Sequence, residues 1–388
     1  MGEVAIGKLG LNDREIDKLR SRLQHAVEKG PLPSLQFAVA RHGKLAVFET
    51  LGEADNETRY TIFSCTKPVV AAAIWRLMGE GLLDAEKPVA HYIPDFAGNG
   101  KQNITVEQVL CHTGGFPRAP LSTPQWWTRQ GRVAEMRKWR LNWQPGSRME
   151  YHPLSAHWVL AELIESVSGF DYRDYLREHI MAPLGLEHLR LGVARPEQRN
   201  IATLQCVGAP PSSSEIRGLF GGAQEWPIVA DSSLLMFNDP EVRALGVPGG
   251  GAVSTAADVA MFYQALMRNA GTVWRPEFLA GTLGRVRVHL PDPMTGAPAN
   301  YGLGVVIAGD DRYKPYRGMG SRVSERAFGH QGVGGQVAWG DPASGISFCL
   351  LTNGLDANPL RSAQLCAAAS NRAGAAGLPR RDIDGHQQ

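Results

Sequence analysis

The sequence predicts an α/β (α+β) protein: an antiparallel sheet assembled from both ends of the chain, flanked by helices, with a mostly helical domain inserted between them. Three observations point there. Near the start, LQFAVA and LAVFET flank the turn RHGK, which is the pattern of an antiparallel hairpin. Beyond residue 300 strand-like segments return as YGLGVVIA, RAFGHQGVGG, QVAWGD and ISFCLLTNG, with DPASG as a turn. Between the two regions helical patterns dominate, most clearly in SAHWVLAELIESVSG and DYRDYLREHIMAPLG.

A helix is expected over residues 12–29, then the hairpin, then a helix from Val69 to Met78 that stops at Gly79 and Gly81. Residues 84–245 form the inserted helical domain, and residues 1–83 with 246–388 the α/β domain. Thr255-x-x-Asp258 reads as a capping box opening a helix that ends at Gly271. The preceding GVPGGGA lacks the lysine and the strand–helix setting of a phosphate loop, and reads as a turn. A last helix covers residues 358–372, and the tail after it, AGAAGLPRRDIDGHQQ, is expected to be disordered.

Composition excludes several classes of function. The 388 residues are 43% apolar and 20% charged, with a net charge of +2, so no electrostatic footprint for nucleic acid or an anionic membrane is visible. Five cysteines (65, 111, 206, 349, 366) show no C-x-x-C pair, and most read as reduced core thiols. There is no H-E-x-x-H and no histidine–carboxylate cluster, so neither a metal nor another cofactor is expected. The first residues carry no apolar signal region and no window approaches eighteen uninterrupted apolar residues, so the expectation is a soluble cytoplasmic protein acting on a small molecule. Nothing in the chain speaks to its oligomeric state.

The stretch FSCTKPVV places Lys67 one helical turn after Ser64. Residues three apart share a helix face, with Cβ atoms about 5–6 Å apart. Ser64 could be a helix cap and Lys67 a solvated cation. Alternatively, they are a nucleophile and its base. A serine hydroxyl needs a base to take its proton, and a lysine qualifies only if burial or nearby positive charge brings its pKa well below about 10.4. Pro68 fits a first helical turn, which would set Ser64 at the positive end of the helix dipole.

Five segments, in order, resemble the serine β-lactamase and penicillin-binding-protein superfamily, with the strongest likeness to class C β-lactamases and family VIII carboxylesterases. They are EGLLDAEKPVAHYIPDF, VLCHTGGFP, MAPLGLEHLRLG, GGGAVSTAADVAMFYQAL and FGHQGVGGQVAWGDPASGISFCLLTNG. The resemblance implies a β-lactamase-like fold, with Ser64 as nucleophile and Lys67 as its partner. It places the family's tyrosine at Tyr151, in GSRMEYHPLSAHW, where Lys67 would depress the phenol's pKa and share its proton. Where lactamases have Y-x-N this chain has Pro153, and where they have K-T-G it has Gly329-His330-Gln331-Gly332. His330 would then line the site, Gly332 would let the substrate approach the strand, and the N–H groups of Ser64 and Val333 would form the oxyanion hole.

His112 would fix a loop, and His157 would be packing or surface. Trp126 and Trp127 would supply an apolar wall for the acyl group or else pack in the core. The implied function is a serine carboxylesterase acting on small esters through an acyl-enzyme on Ser64. An acyltransferase, a β-lactamase or D-amino-acid peptidase, or a binding module that has lost the chemistry remain as alternatives.

Overall fold

The computed structural model describes residues 2–121, 123–212, 232–269, 273–293 and 295–378. Six strands form one antiparallel sheet: β1 (Ser34–Arg41), β2 (Lys44–Gly52), β3 (Val306–Ile307), β4 (Phe328–Gly332), β5 (Gln336–Asp341) and β6 (Ile346–Thr352). Their spatial order is β2-β1-β6-β5-β4-β3. Phe37 lies opposite Leu350, so the two ends of the chain meet at the centre of the sheet. YGLGVVIA yields only the two residues of β3, because the chain there is broken by glycines, with Gly304 in the left-handed region at φ 81°. DPASG turns as expected, with the Gly345 N–H donating to the Asp341 carbonyl at 2.8 Å.

Five helices build the layers around the sheet and the candidate site: α1 (Asp13–Glu28), α2 (Thr66–Gly79), α3 (Ser155–Ser168), α4 (Ala256–Arg268) and α5 (Pro359–Ala376). The alternation of side chains along the strands decides how they pack. Leu35, Phe37, Val39, Trp339, Phe348 and Leu350 point to one face and are buried against Ile16, Leu19 and Leu23 of α1 and Leu365 and Ala369 of α5. Ala38, Ala40, Ala338 and Cys349 point to the other face, where α2 and α4 pack. The small residues let α4 sit close: a Cβ at Gly340 would lie 3.3 Å from Tyr263 Cβ. The result is a three-layer helix–sheet–helix arrangement with both faces of the sheet dry.

Four expectations shift. Helix α2 begins at Thr66, three residues earlier than the apolar periodicity suggests, so Lys67 lies inside its first turn. Thr255 does cap α4 by accepting from the Asp258 N–H, but the box is not reciprocal. The Asp258 carboxylate instead accepts from the N–H groups of His188 and Leu189 at 2.7 and 3.2 Å, tying the inserted region to α4. That helix ends at Arg268 with Asn269 in the left-handed conformation, while Gly271 lies outside the described residues. Helix α5 runs to Ala376, so the first residues expected to be disordered are helical; residues 379–388 lie outside the described residues.

Residues 84–245 carry helices separated by long loops where described, and short strands join them to the rest. Arg190–Leu191 and Tyr60–Thr61 both pair with Ala252–Ser254, and Gln205–Val207 runs parallel to Gly354–Asp356. Four of the five cysteines are buried and unpaired, and Cys206 is exposed. No helix among the described residues is long and apolar enough to cross a membrane.

Candidate active site

Ser64 sits in a single 3₁₀ turn, Phe63–Cys65, that runs straight into α2. The turn is pinned from below by Ile62 N–H to the Ala252 carbonyl (2.9 Å) and by Ala252 N–H to Thr66 Oγ1 (3.1 Å). Phe63 takes a φ of 44°, costly for a bulky residue, and its ring packs edge-on against Phe237 at 5.4 Å. Backbone strain of this kind beside a reactive side chain has no signature in the sequence.

Ser64 caps nothing. Its Oγ accepts from Tyr151 Oη at 2.7 Å and lies 3.1 Å from Lys67 Nζ. Nor is Lys67 solvated, being 1% exposed. Its Nζ also donates to the carbonyls of Pro153 (2.8 Å) and Gly249 (2.6 Å). Burial brings its pKa down to about 7. With two N–H bonds directed at fixed carbonyls, the third direction on nitrogen faces Ser64. In the neutral amine that direction holds the lone pair, which is what a base for Ser64 requires.

Neither carbonyl is legible in the sequence as a functional group, and both depend on Gly249. A Cβ there would stand 2.8 Å from the Pro153 carbonyl oxygen and 3.1 Å from Leu154 Cα. The glycine run read as a plain turn thus lets two backbones close around one ammonium. Gly249→Val is expected to lower kcat for ester substrates by about 10²-fold through displaced Lys67 geometry. Circular dichroism and the melting midpoint separate that loss from unfolding.

Tyr151 departs from expectation. Burial pushes its phenol well above the ordinary value, and Lys67 does not reverse this. The lysine Nζ lies 4.9 Å from the centroid of the tyrosine ring, a cation–π contact. Tyr151 is therefore a protonated donor to Ser64 at neutral pH, and the ready proton acceptor is Lys67.

His112 holds the loop that carries Tyr151 from both sides. Its carbonyl accepts from Glu150 N–H (3.2 Å) and its Nδ1 from His152 N–H (3.1 Å), while its ring lies 4.8 Å from that of Tyr151. His152 donates from Nδ1 to the Glu150 carbonyl (2.6 Å) and accepts the Phe116 N–H on Nε2 (3.0 Å); burial lowers its pKa to about 4. His157 is fully buried in α3, so its role is packing.

On the opposite wall, β4 is drawn against the serine turn. Cys65 Sγ donates to the His330 carbonyl at 3.3 Å, and the missing Cβ of Gly332 would fall 2.7 Å from the Ile62 carbonyl oxygen. Gly332 is thus required by strand-to-turn packing, a reason additional to the substrate approach expected. The following residue, Val333, is partly buried against the apolar cluster that contains Phe63 and Cys65. The His330 ring is 5.9 Å from Tyr151. Its Nδ1–H donates to the Gln331 carbonyl (2.5 Å), so its Nε2 accepts from Tyr301 Oη (3.2 Å). Burial lowers its pKa to about 3, leaving a neutral ring with both nitrogens engaged.

The two tryptophans are not brought to this centre by any contact among the described residues. Trp126 is buried with its ring 5.9 Å from Trp158, and its carbonyl accepts from Arg132, which is paired with Glu165 at 2.9 Å. Trp127 is 42% exposed. Trp126 is thus a core residue of the inserted region.

A buried amine and a phenol converging on one serine oxygen describe a serine hydrolase of the β-lactamase and penicillin-binding-protein superfamily. Comparison with known proteins agrees: the Beta-lactamase family model matches residues 19–370, and the chain belongs to that family. It is 30% identical to the esterase/beta-lactamase LipL of Mycobacterium tuberculosis over 319 residues, 76% of this chain and 69% of that one. It is 25% identical to a putative D-alanyl-D-alanine carboxypeptidase of Escherichia coli K12, covering 89% of this chain and 84% of that one. Among solved structures it is similar to a penicillin-binding protein homologue from Caulobacter crescentus (26% identity, TM-score 0.75, 93% and 98% of the two chains). A family VIII carboxylesterase shares the fold at 22% identity, with a TM-score of 0.75 over 96% and 99% of the chains.

Proposed function

We propose that this protein is a carboxylesterase of the family VIII kind, hydrolysing small esters through an acyl-enzyme on Ser64. The observation that carries the reading is the convergence of Lys67 Nζ and Tyr151 Oη on Ser64 Oγ. Neutral Lys67 takes the hydroxyl proton as Oγ bonds to the ester carbonyl carbon. The oxyanion is held by the N–H groups of Ser64, just before α2, and Val333, just after β4. As the tetrahedral intermediate collapses, the C–O bond to the alkoxide breaks, and the proton returns from Lys67 to the leaving oxygen by way of the Tyr151 phenol. Lys67, neutral again, then takes a proton from water as its oxygen bonds to the acyl carbon; the bond from that carbon to Ser64 Oγ breaks, the proton passes to Oγ, and the acid leaves.

The preference for esters over β-lactams or peptides rests on two substitutions. His330 stands where a lysine would anchor a substrate carboxylate, and its ring offers no free N–H to an anion. Pro153 stands where an asparagine amide would hold an acyl-amide side chain, and it contributes its carbonyl to Lys67 instead. Esters of short neutral acids are therefore expected to be turned over with kcat/KM at least about 10²-fold above that for cephalosporins. Comparable rates on the two would overturn the ester assignment. Adding an alcohol acceptor and quantifying the transferred ester separates hydrolysis from acyl transfer.

A further inference from the structure

We infer that the cleft between the second half of α1 and the start of α5 binds a small amphiphilic carboxylate. It encloses about 460 Å³, within the roughly 300–1,000 Å³ usual for small-ligand sites. Arg22, on α1, and Lys29, the residue that follows the end of that helix, are both exposed side chains that line it. Asp356 is the one carboxylate among the described lining residues, and it is already engaged. Its oxygens accept from Arg361 Nε (2.5 Å), Arg361 Nη2 (2.6 Å) and Asn358 N–H (2.9 Å).

Among the described lining residues, no acid is thus left to pair with Arg22 and Lys29. The N-terminal end of α5 closes the other side, capped by Asn358 Oδ1, which accepts from the N–H groups of Leu360 and Arg361. Buried Leu32 and Leu365 line the cleft as well. One negative charge attached to a short apolar body satisfies both linings, and the acid half of a hydrolysed ester is of that class.

The cleft also adjoins the turn that carries Val333. A second hollow of about 140 Å³ shares Gly334, Gly335, Asp356 and Ser362 with it and extends to Val333. The shared wall is the turn between β4 and β5, where Gly334 and Gly335 take φ of 82° and 99°. Gly335 is tied to α5 through Cys366 Sγ, which donates to its carbonyl at 3.3 Å. A carboxylate in the cleft therefore bears on the turn that positions the Val333 N–H. This coupling, unlike the binding itself, rests on the proposed oxyanion role of Val333.

Calorimetric titration of the full chain with octanoate tests the site, alongside octanol, inorganic phosphate, the double variant R22E/K29E, and protein whose Ser64 is blocked by a fluorophosphonate. The expected result is 1:1 octanoate binding that survives blockage of Ser64 and weakens at least tenfold in R22E/K29E, with no comparable binding of octanol or phosphate. Octanoate binding that is lost on blockage but unchanged in R22E/K29E places it in the active site and overturns the proposal. Equal binding of octanol or of phosphate overturns the amphiphilic carboxylate class. Saturating octanoate is further expected to change kcat for p-nitrophenyl butyrate in the native protein but not in R22E/K29E, which should keep its basal turnover. Binding without any change in kcat overturns the coupling to Val333 while leaving the ester reading to its own tests.

Discussion

Ser64→Ala is expected to abolish ester hydrolysis, with kcat/KM on p-nitrophenyl esters falling by about 10⁴-fold or more. The fall follows from the geometry: Ser64 Oγ is the atom on which Lys67 Nζ and Tyr151 Oη both converge, at 3.1 and 2.7 Å. Without it neither has an oxygen to activate. The fold should persist, because the turn is held by main-chain bonds through Ala252 and by Cys65, none of which uses the hydroxyl. An unchanged circular dichroism spectrum with lost activity is the expected pair of readings. Residual activity above about one part in a hundred, or no mass adduct on Ser64 after treatment with a covalent serine inhibitor, would identify a different nucleophile.

The second large effect concerns Lys67 and pH. As a base it acts when neutral, and its pKa is brought down to about 7 by burial. The value of kcat/KM should therefore rise tenfold per pH unit below neutrality, bend near pH 7 and stay flat above it. Lys67→Arg should flatten this limb and lower kcat by about 10²–10⁴-fold, since guanidinium does not lose its proton. A pH profile with no inflection between 6 and 8 would sink Lys67 as the base.

The same shift links to stability with a definite sign. In the unfolded chain the lysine titrates near 10.4. The unfolded state thus binds the extra proton between about pH 7 and 10.4. The contribution of Lys67 to stability is present above that window and is lost as pH falls through it, by an amount on the order of 4 kcal/mol. Catalytic competence and the cost of burying the amine have one cause.

How much of the site was legible varied with the kind of group involved. Ser64 and Lys67 could be paired because their spacing matches a helical turn, but it was the resemblance over five ordered segments that read them as nucleophile and base. Tyr151 could be named by resemblance but not its protonation state: the expectation that Lys67 would depress the phenol reversed, since burial outweighs a neighbouring cation that is itself half neutral. The carbonyls of Pro153 and Gly249 escaped notice because every residue has one, and only the chain path shows which two meet an ammonium. Tyr301, which completes the engagement of His330, lies 29 positions before it and carries no motif. The adjacent tryptophans drew attention as large apolar groups, yet size alone does not say which side of α3 they face.

The sequence by itself determined the main strands and helices and the spacing of Ser64 and Lys67, while their roles came from the resemblance. Alternating strands at both ends, the periodicity of α1 to α5 and the three-residue step from Ser64 to Lys67 are all local patterns, set by the repeat of the backbone. Only the tertiary structure decided the electrostatics: which carbonyls hold Lys67, how far its pKa falls, that Tyr151 keeps its proton and that His330 is neutral. Those properties come from burial and from contacts between residues far apart in the chain, such as Lys67 with Pro153 at a separation of 86 and Cys65 with His330 at 265. Desolvation and hydrogen-bond direction exist only once the chain has closed on itself.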